Sequence, residues 1–219
     1  MRIGILGATG PAGSGLAARL ASVGFDVCVG SRSKYRAMEV ADELCARWSD
    51  LNLSIEAADN TGAADADVVV IATPWDAAAA TASSVARQLE GKVVISMANA
   101  LARVGHEFQP LVPPRGSVAA SVQAAVPRSK VAAALHHVPA KELGHVGEPV
   151  VSDVLICSDH PEATALTIDI IDRIPDLRPL DAGQLSNAAP IEAFAAVLLQ
   201  LNVRYKTRVA VQFTGLDLD

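Results

Sequence analysis

Aromatic residues and cysteines are scarce in this sequence. Aromatic side chains make up 4% of the 219 residues, whereas hydrophobic residues make up 51%, so the core must be built from Ala, Val, Leu and Ile. A core of this composition suits helices packed over a parallel sheet whose strands are buried on both faces. The three cysteines, Cys28, Cys45 and Cys157, are far apart and form no CxxC pair. This scatter favours buried thiols in a reducing compartment.

Net positive charge and long apolar segments are also missing. The formal net charge is −6, which argues against nucleic acid or an anionic membrane surface as a partner. No apolar stretch reaches membrane-spanning length without a charge or a proline. Met1 and Arg2 lead directly into an apolar run rather than into the leader of a signal peptide. We therefore expect a cytoplasmic protein with small-molecule partners and with neither nucleic acid nor a membrane among them.

The sequence also lacks recognisable catalytic groups. Neither tyrosine, Tyr35 or Tyr205, is followed four residues later by a lysine, so the Tyr-x-x-x-Lys pair of short-chain dehydrogenases is absent. His136 and His137 have no acidic residue or cysteine at a spacing that would complete a metal site. No serine stands in a nucleophile elbow. We accordingly predict no metal and no obligatory catalytic acid, base or nucleophile.

A glycine-rich turn near the N-terminus is the first positive signal. The apolar run Ile3–Leu6 leads into Gly7, Gly10 and Gly13, and a helical pattern follows over Leu16–Ala21. Glycines allow the backbone to turn tightly and to approach a pyrophosphate, while the helix N-terminus offers free N–H groups and positive partial charge. The spacing is G-x-x-G-x-x-G rather than G-x-G-x-x-G, but its position between a strand and a helix indicates dinucleotide binding.

The end of the second predicted strand indicates which dinucleotide is bound. The apolar run Phe25–Val29 is followed by a glycine and then by Ser31 and Arg32, where a βαβ unit meets the adenosine ribose. An acidic residue there would suit the 2′-hydroxyl of NAD, whereas a hydroxyl and a guanidinium suit a 2′-phosphate. Lys34 and Arg36 add positive charge. The alternative is a solvated helix start, although cations are mildly unfavourable at a helix N-terminus. The motif predicts NADP.

Strands and helices alternate through the rest of the chain. Alternation of this kind is typical of an α/β fold with a doubly wound parallel sheet. Further strands are predicted at Leu53–Ala57, Val68–Ala72, Val93–Ser96, Val131–Leu135, Asp153–Cys157 and Leu177–Leu180, and helices at 33–48, 76–89, 117–126, 161–171 and 185–206. The tail at 209–213 fits either a strand or an arm that contacts a partner. We predict an N-terminal Rossmann domain over 1–138 and a smaller C-terminal α/β domain over 139–219.

Two segments follow central strands and are therefore candidates for ligand contact. Thr73, Pro74 and Trp75 follow one strand, and the segment 96–99, which ends at Asn99, follows the next. Ligands of open α/β sheets bind along the edge where the strands end, so these residues are placed to face a nicotinamide ring. The alternative is that Trp75 only caps a hydrophobic layer and that Pro74 only starts a helix.

Several motifs together resemble one known family. The segments 7–13, 29–32, 73–75, 134–140 and 177–183 resemble the NADPH-dependent coenzyme F420 reductases, and the resemblance extends from Met1 to about Ala195. It implies a homodimer in which a Rossmann domain and a small C-terminal domain enclose a cleft that holds the deazaflavin near the nicotinamide. By motif, the residues that would hold NADP are Thr9, Ser31, Arg32 and Arg36. Those that would line the deazaflavin pocket are His136, Val138 and Pro139.

The chemistry that the resemblance implies agrees with the missing catalytic groups. A hydride passes between C4 of the nicotinamide and C5 of the deazaflavin, so both reacting atoms belong to cofactors. The protein must hold the two rings at roughly 3–3.5 Å, and no protein acid or base is required. Two alternatives remain open: an NADPH-dependent reductase of another flavin or of a small imine or carbonyl, with His136-His137 as proton donor, and a redox-sensing NADP-binding module without turnover.

The predicted site combines the glycine turn, the phosphate-binding residues and the ring pocket. Trp75, His136 and Val138 are expected to position the rings. The predicted cofactor-binding residues are Gly7, Thr9, Gly10, Pro11, Ala12, Gly13, Ser31, Arg32, Arg36, Thr73, Pro74, Trp75, Asn99, His136, Val138 and Pro139. Because coenzyme F420 carries an oligoglutamate tail, we also expect a local basic patch on this acidic protein. Its candidate residues are Arg204, Lys206 and Arg208.

Overall fold

A computed structural model describes residues 1–216 of the chain. The strands within this range are β1 Arg2–Leu6, β2 Asp26–Ser31, β3 Ile55–Asp59, β4 Val68–Ile71, β5 Val93–Ser96, β6 Leu101–Val104, β7 Glu107–Pro110, β8 Lys130–Ala133, β9 Ser152–Ser158 and β10 Leu177–Asp181. The helices are α1 Pro11–Ser22, α2 Lys34–Arg47, α3 Asn60–Ala64, α4 Trp75–Ser84, α5 Ala86–Leu89, α6 Val118–Ala125, α7 Ala140–Leu143, α8 Pro161–Asp172 and α9 Ala188–Tyr205.

Eight of these strands form one sheet in the order β10-β9-β8-β5-β4-β1-β2-β3. The strands from β3 to β8 along this order run parallel to one another. Their arrangement about β1 and β4 is that of a doubly wound dinucleotide-binding fold, in which ligands bind where the strand order reverses. The predicted α/β fold class is confirmed.

The central strands are apolar throughout because helices cover both of their faces. All four residues of β4 are buried, and they alternate between two hydrophobic clusters. Val68 and Val70 pack in the cluster that contains Leu16 of α1, while Val69 and Ile71 pack in the cluster that contains residues of α4. The continuous run of β-branched side chains therefore reflects burial on two sides.

Helix α1 is tied to a segment far along the chain. Arg19 is buried, and its guanidinium donates to the backbone carbonyls of Glu142, Leu143, His145, Val146 and Glu148 at 2.7 to 3.4 Å. Burial lowers the pKa of Arg19 from its usual value. A Cβ on Gly15 would lie 2.9 Å from the carbonyl oxygen of Ala140. Arg19 and Gly15 thus fix α7 and the segment after it against α1.

The C-terminal part of the sheet reverses direction. β9 pairs antiparallel with β8 through Ala132 with Ser158 and Ala133 with Cys157, and β10 runs parallel to β9. The starts of β9 and β10 therefore lie at the edge where β8 ends. The predicted boundary between 138 and 139 falls in the connection between β8 and β9 and stays a prediction. The last three positions of the predicted second domain, 217–219, lie outside the described residues.

Three local details differ from the sequence-based expectations. Residues 101–110 form the hairpin β6–β7, joined by a turn in which Gly105 has a φ of +63°, and no strand was expected there. The single helix expected over 76–89 is interrupted at Val85, where φ is −122°. The tail at 209–213, for which a strand was one of two expectations, forms no strand; it is an irregular segment hydrogen-bonded to Asn202 and Asp153.

Within residues 1–216, no helix combines the length and the apolar character that crossing a bilayer requires.

Candidate functional site

The loops that follow β1, β2, β4, β5 and β8 meet at one edge of the sheet. They meet because these five strands are parallel and adjacent, so that their carboxyl ends lie side by side. The loop after β1 contains the glycine turn, and the loop after β2 contains Arg32. The loops after β4, β5 and β8 contain Thr73, Asn99 and His136. The structure thus brings all the predicted site segments to the same edge.

Two of the glycines in the turn are required by close backbone packing. Gly7 has a φ of +83°, and a Cβ there would lie 2.6 Å from Cγ2 of Thr73. The N–H groups of Gly7 and Ala8 both donate to the carbonyl oxygen of Gly30, at 3.1 and 3.2 Å. A Cβ on Gly13 would lie 2.7 Å from the Cα of Ala8. These contacts hold the turn between β1 and α1 against β2 and the loop after β4.

Gly10 differs from the other two glycines because the space beside it is open. It precedes α1 with a φ of −88° and a ψ of 162°, and no side chain caps the helix. A Cβ on Gly10 would meet only the carbonyl oxygen of Gly7, at 3.8 Å. Pro11 begins the helix, and the first-turn N–H groups of a helix have no intrahelical acceptor. This open helix N-terminus fits a pyrophosphate. Thr9, Pro11 and Ala12, which are predicted to contact the cofactor, lie beside it.

The loop after β2 presents cations around a buried hydroxyl. Ser31 is buried, and its Oγ accepts from the N–H of Ser33 at 3.3 Å. The Oγ of Ser33 accepts from the N–H of Arg36 and caps α2. The side chains of Arg32, Lys34 and Arg36 are exposed. Among the described residues, neither Arg32 nor Arg36 forms an ion pair, so both guanidinium groups are available to an anion.

The loop after β4 divides its predicted site residues between two environments. Thr73 contacts the glycine turn, and its Oγ1 is buried with no hydrogen-bond partner within residues 1–216. Pro74 precedes α4 in an extended conformation. Trp75 begins that helix and packs, partly buried, against the hydrophobic cluster on this face of the sheet. Thr73 therefore lies against the glycine turn, whereas Trp75 covers a hydrophobic layer.

A cleft of about 190 Å³ lies between the ends of β5 and β8, the start of α1 and helix α9. Five of the predicted site residues line it: Ala12, Asn99, His136, Val138 and Pro139. The sequence-based prediction missed the α9 side of the cleft. That side is formed by Ala195, Leu198, Leu199 and Asn202, together with Val209 from the tail. In the sequence, this side of the cleft is indicated only by the apolar face of a long helix. Such a face has the same hydrophobic pattern whether it packs against the core or lines a cleft.

His136 is the most unusual side chain of the cleft. It is 4% exposed, and neither ring nitrogen has a hydrogen-bond partner among the described residues. Burial lowers the pKa of His136 to about 3, with a further contribution from His137, while the backbones of Met97 and Ala98 offset part of this effect. The ring is therefore neutral near pH 7. A neutral imidazole offers a ligand one donor and one acceptor.

The backbone around His136 is held in a strained conformation. Leu135 has a φ of +66°, a region that bulky side chains rarely adopt. The side-chain amide of Asn99 donates to the carbonyl oxygen of His136 at 2.7 Å, and the Oδ1 of Asn99 is buried without a partner in residues 1–216. Nε2 of His137 donates to the carbonyl oxygen of Asp153 at 2.7 Å. Strain held by surrounding bonds is typical of ligand-binding positions.

The chemistry available at this edge is that of binding and orientation. The described residues include no group of three or more His, Cys, Asp or Glu side chains that could hold a metal ion. An open helix N-terminus and two free guanidinium groups suit a phosphorylated dinucleotide, and the mostly apolar cleft beside them suits an aromatic ring system. Buried polar atoms without partners, on Thr73, Asn99 and His136, mark where such ligands would form hydrogen bonds.

Comparisons with known proteins agree with this geometry. Residues 2–100 match the family model described as NADP oxidoreductase, coenzyme F420-dependent. The chain is 34% identical to the F420-dependent NADP reductase of Methanocaldococcus jannaschii, over 100% of both chains. It is 33% identical to the enzyme of the same name from Methanothermobacter thermautotrophicus, over 99% of this chain and 96% of that one.

Solved structures support the fold. A crystal structure from Arthrobacter sp. FB24, provisionally described as an F420-dependent NADP-reductase, superposes with a TM-score of 0.79 at 22% identity, over 96% of this chain and 99% of the other. A likeness at this identity concerns the fold alone.

Proposed function

Since the chain belongs to the family of F420-dependent NADP reductases, we propose that it is an oxidoreductase that transfers hydride between NADP(H) and the deazaflavin coenzyme F420. One observation carries this proposal. The open N-terminus of α1 at Gly10 and the cleft beside His136 lie at the same edge of the sheet. A dinucleotide and a second ring system can therefore meet at this edge.

The residues at the NADP end have separate tasks. The first turn of α1 would bind the pyrophosphate, with the side chain of Thr9 beside it. Arg32 and Arg36 would grip the 2′-phosphate, and Ser31 would add a hydroxyl. Thr73 contacts the same turn, and its buried Oγ1 has no partner within the described residues. Each of these groups binds or orients the dinucleotide, and none has to donate or accept a proton.

The residues around the cleft would position the second ring. When both cofactors are bound, the nicotinamide supplies or accepts the hydride and the deazaflavin is its counterpart. Val138 and Pro139 form an apolar wall that excludes water, while Asn99 and the neutral His136 offer hydrogen bonds to polar ring substituents. An imidazole whose pKa is held at about 3 is a poor proton donor near pH 7. This weighs against the alternative of carbonyl or imine reduction.

Of the three basic residues expected to bind the oligoglutamate tail, Arg208 is engaged elsewhere in the structure. Nε of Arg208 lies 3.0 Å from Oε1 of Glu142, so this cation is already partnered. Arg204 lies in the last turn of α9 and Lys206 follows the helix, both exposed. Asn202, one turn before Lys206, lines the cleft. We assign the tail to Arg204 and Lys206. Replacing both by alanine should raise the KM for long-tailed F420, and an unchanged KM would contradict this assignment.

We further propose a cytoplasmic homodimer. The α9 helix leaves Phe194 37% and Val197 51% exposed, and a second copy of the chain would cover such a face. The cysteines in the described part of the chain are free, in agreement with a reducing compartment. Light scattering coupled to size exclusion would test the dimer, and a monomer at micromolar concentration would argue against it.

A spectrophotometric assay tests the activity. The protein is mixed with NADPH and oxidised F420, and the visible absorbance of the deazaflavin is followed. Bleaching above the uncatalysed rate is expected. Oxidation of NADPH with another flavin or an imine, but not with F420, would favour the alternative reductase. NADPH binding without turnover of any acceptor would favour the redox-sensing module.

A further inference from the structure

The tail of the chain is irregular but is held at several points. We name residues 207–216 the C-terminal strap. The N–H of Val209 donates to Oδ1 of Asn202 at 2.6 Å, and both residues line the cleft. Two residues later, the carbonyl oxygen of Val211 accepts from the N–H of Asp153 at 2.6 Å. The strap therefore forms part of the cleft wall and is anchored to the start of β9.

The strongest anchor is an ion pair between two strands. Oδ1 and Oδ2 of Asp153 accept from Nε and Nη2 of Arg178, each at 2.7 Å. The same pair binds both backbone polar groups of Phe213, because Oδ2 of Asp153 accepts from its N–H and Nη2 of Arg178 donates to its carbonyl oxygen. The Asp153 side chain is 1% exposed. A bidentate pair with a buried carboxylate fixes geometry far better than an exposed pair does.

The same aspartate also contacts the opposite side of the cleft. Its backbone carbonyl oxygen accepts from Nε2 of His137, which lines the cleft next to His136. This contact is possible because β9 runs antiparallel to β8, which puts the start of β9 beside the residues that follow β8. Asp153 thus connects the loop after β8 with the strap.

We propose that Asp153 and Arg178 are positioning residues for the second substrate. They hold the strap so that Val209 and Asn202 keep their places in the cleft wall. The residues proposed to bind the 2′-phosphate lie at the end of β2, which is five strand positions from β9 and six from β10 in the sheet, or about 24–29 Å. We therefore expect the pair to act on the binding of the second substrate rather than on the binding of the NADP phosphates. This inference rests on the proposed function.

The test separates the two substrates kinetically. Arg178→Gln should raise the KM for oxidised F420 by about tenfold, the usual effect of losing a strong hydrogen bond, and leave the KM for NADPH unchanged. Arg178→Lys keeps the charge but loses the bidentate geometry. Its KM for oxidised F420 should therefore lie between that of Arg178→Gln and that of the unaltered chain. A chain that ends at Lys206 should show the same rise in the KM for oxidised F420 as Arg178→Gln. Combining the truncation with Arg178→Gln should raise this KM little further.

A second measurement and a control complete the experiment. Amide exchange at Phe213 should accelerate in Arg178→Gln. Glu162→Gln, which breaks the exposed ion pair with Lys130 at 2.9 Å, should change neither KM. Equal changes in both KM values, or no change in either, would overturn the positioning role while leaving the proposed function intact. Absence of F420 turnover by the unaltered chain would overturn the proposed function, and the positioning role with it.

Discussion

The side-chain amide of Asn99 donates to the backbone carbonyl oxygen of His136 over 2.7 Å. This bond joins the loop after β5 to the loop after β8, and both residues line the cleft. It also holds the strained backbone that begins at Leu135, where φ is +66°. The two loops that would surround the reacting rings are therefore linked by a partly buried side-chain hydrogen bond.

Removal of this bond should affect both stability and turnover. Asn99→Ala leaves the buried carbonyl of His136 without its donor, which costs about 1–3 kcal/mol. We expect urea unfolding to show this loss and kcat/KM for both substrates to fall, because the loops on both sides of the cleft are released. Unchanged stability, within about 0.5 kcal/mol, would mean that water replaces the amide and that the link is dispensable.

The preference for NADP over NAD should depend on the two free guanidinium groups. Arg32→Ala combined with Arg36→Ala should remove much of the discrimination, because each charge-assisted bond to the 2′-phosphate is worth about 1.5–3 kcal/mol. The measurement is the ratio of kcat/KM for NADPH to that for NADH. Lys34→Ala, an exposed neighbour on the same helix start, is the control and should have a smaller effect. If the double variant keeps the original preference, the phosphate is bound elsewhere.

A substitution at Gly10 should change stability and cofactor binding in opposite directions. Aspartate is a favourable residue before a helix and suits the helix dipole, and the backbone at Gly10 admits any L-residue. Gly10→Asp should therefore raise stability by about 0.3–1 kcal/mol, a few tenths from the cap and the rest from the helix dipole. Its carboxylate would occupy the open space where the pyrophosphate binds, so the Kd for NADPH should rise strongly.

Two further variants control this experiment. Gly10→Ser caps the helix without the charge, and we expect a smaller loss of NADPH affinity. Gly7→Ala should instead destabilise the protein, because φ is +83° and the added Cβ meets Thr73. Thermal unfolding and fluorescence titration with NADPH measure both quantities. Tighter NADPH binding in Gly10→Asp would show that the pyrophosphate does not lie at this helix.

The protein should become less stable as the pH rises, because one buried carboxyl group must then lose its proton. Burial raises the pKa of Glu192 to about 7 from 4.5, although the N–H groups of Val118 and Ala119 bind its oxygens and offset part of the effect. Between these two values the folded protein holds a proton that the unfolded chain has released. The contribution is fully present below pH 4.5 and is lost as the pH rises through 7. It amounts to about 3 kcal/mol.

Urea unfolding at pH 5 and pH 8 measures this dependence. Glu192→Gln should remove most of it, since the amide is neutral at both values and still offers one acceptor to α6. Glu39→Gln, at an exposed position of α2, should leave the dependence unchanged. An equal pH dependence in Glu192→Gln and in the unaltered chain would place its origin in other groups.

The N-terminal half of the fold could be predicted because its signals are local. A glycine turn between an apolar run and a helix identifies β1 and α1, and Ser31-Arg32 marks the end of β2. The hairpin β6–β7 was missed, although Gly105, with a φ of +63°, stands where a two-residue hairpin turn often has glycine. Its strands contain Arg103 and Glu107 among apolar residues, so neither strand has the continuous apolar run from which a strand could be predicted.

The rest of the site depends on long-range geometry. The motif at 177–183 was recognised by its resemblance, but the task of Arg178 requires Asp153, which lies 25 residues earlier. That contact exists because β9 reverses direction, and an alternating pattern of strands and helices does not report strand direction. The same holds for Arg19, whose acceptors are more than 120 residues away. A charged residue within a helix otherwise suggests exposure.

The contacts of Arg19 have a consequence for the order in which the chain is completed. Helix α1 is among the first elements to be synthesised, yet the carbonyl groups that surround its guanidinium belong to residues 142–148. Until those residues have been synthesised, the guanidinium of Arg19 lacks these acceptors and the backbone that packs against Gly15 is absent. A fragment that stops near residue 100, where the family match ends, would contain the cofactor signature without the segment that closes over its first helix.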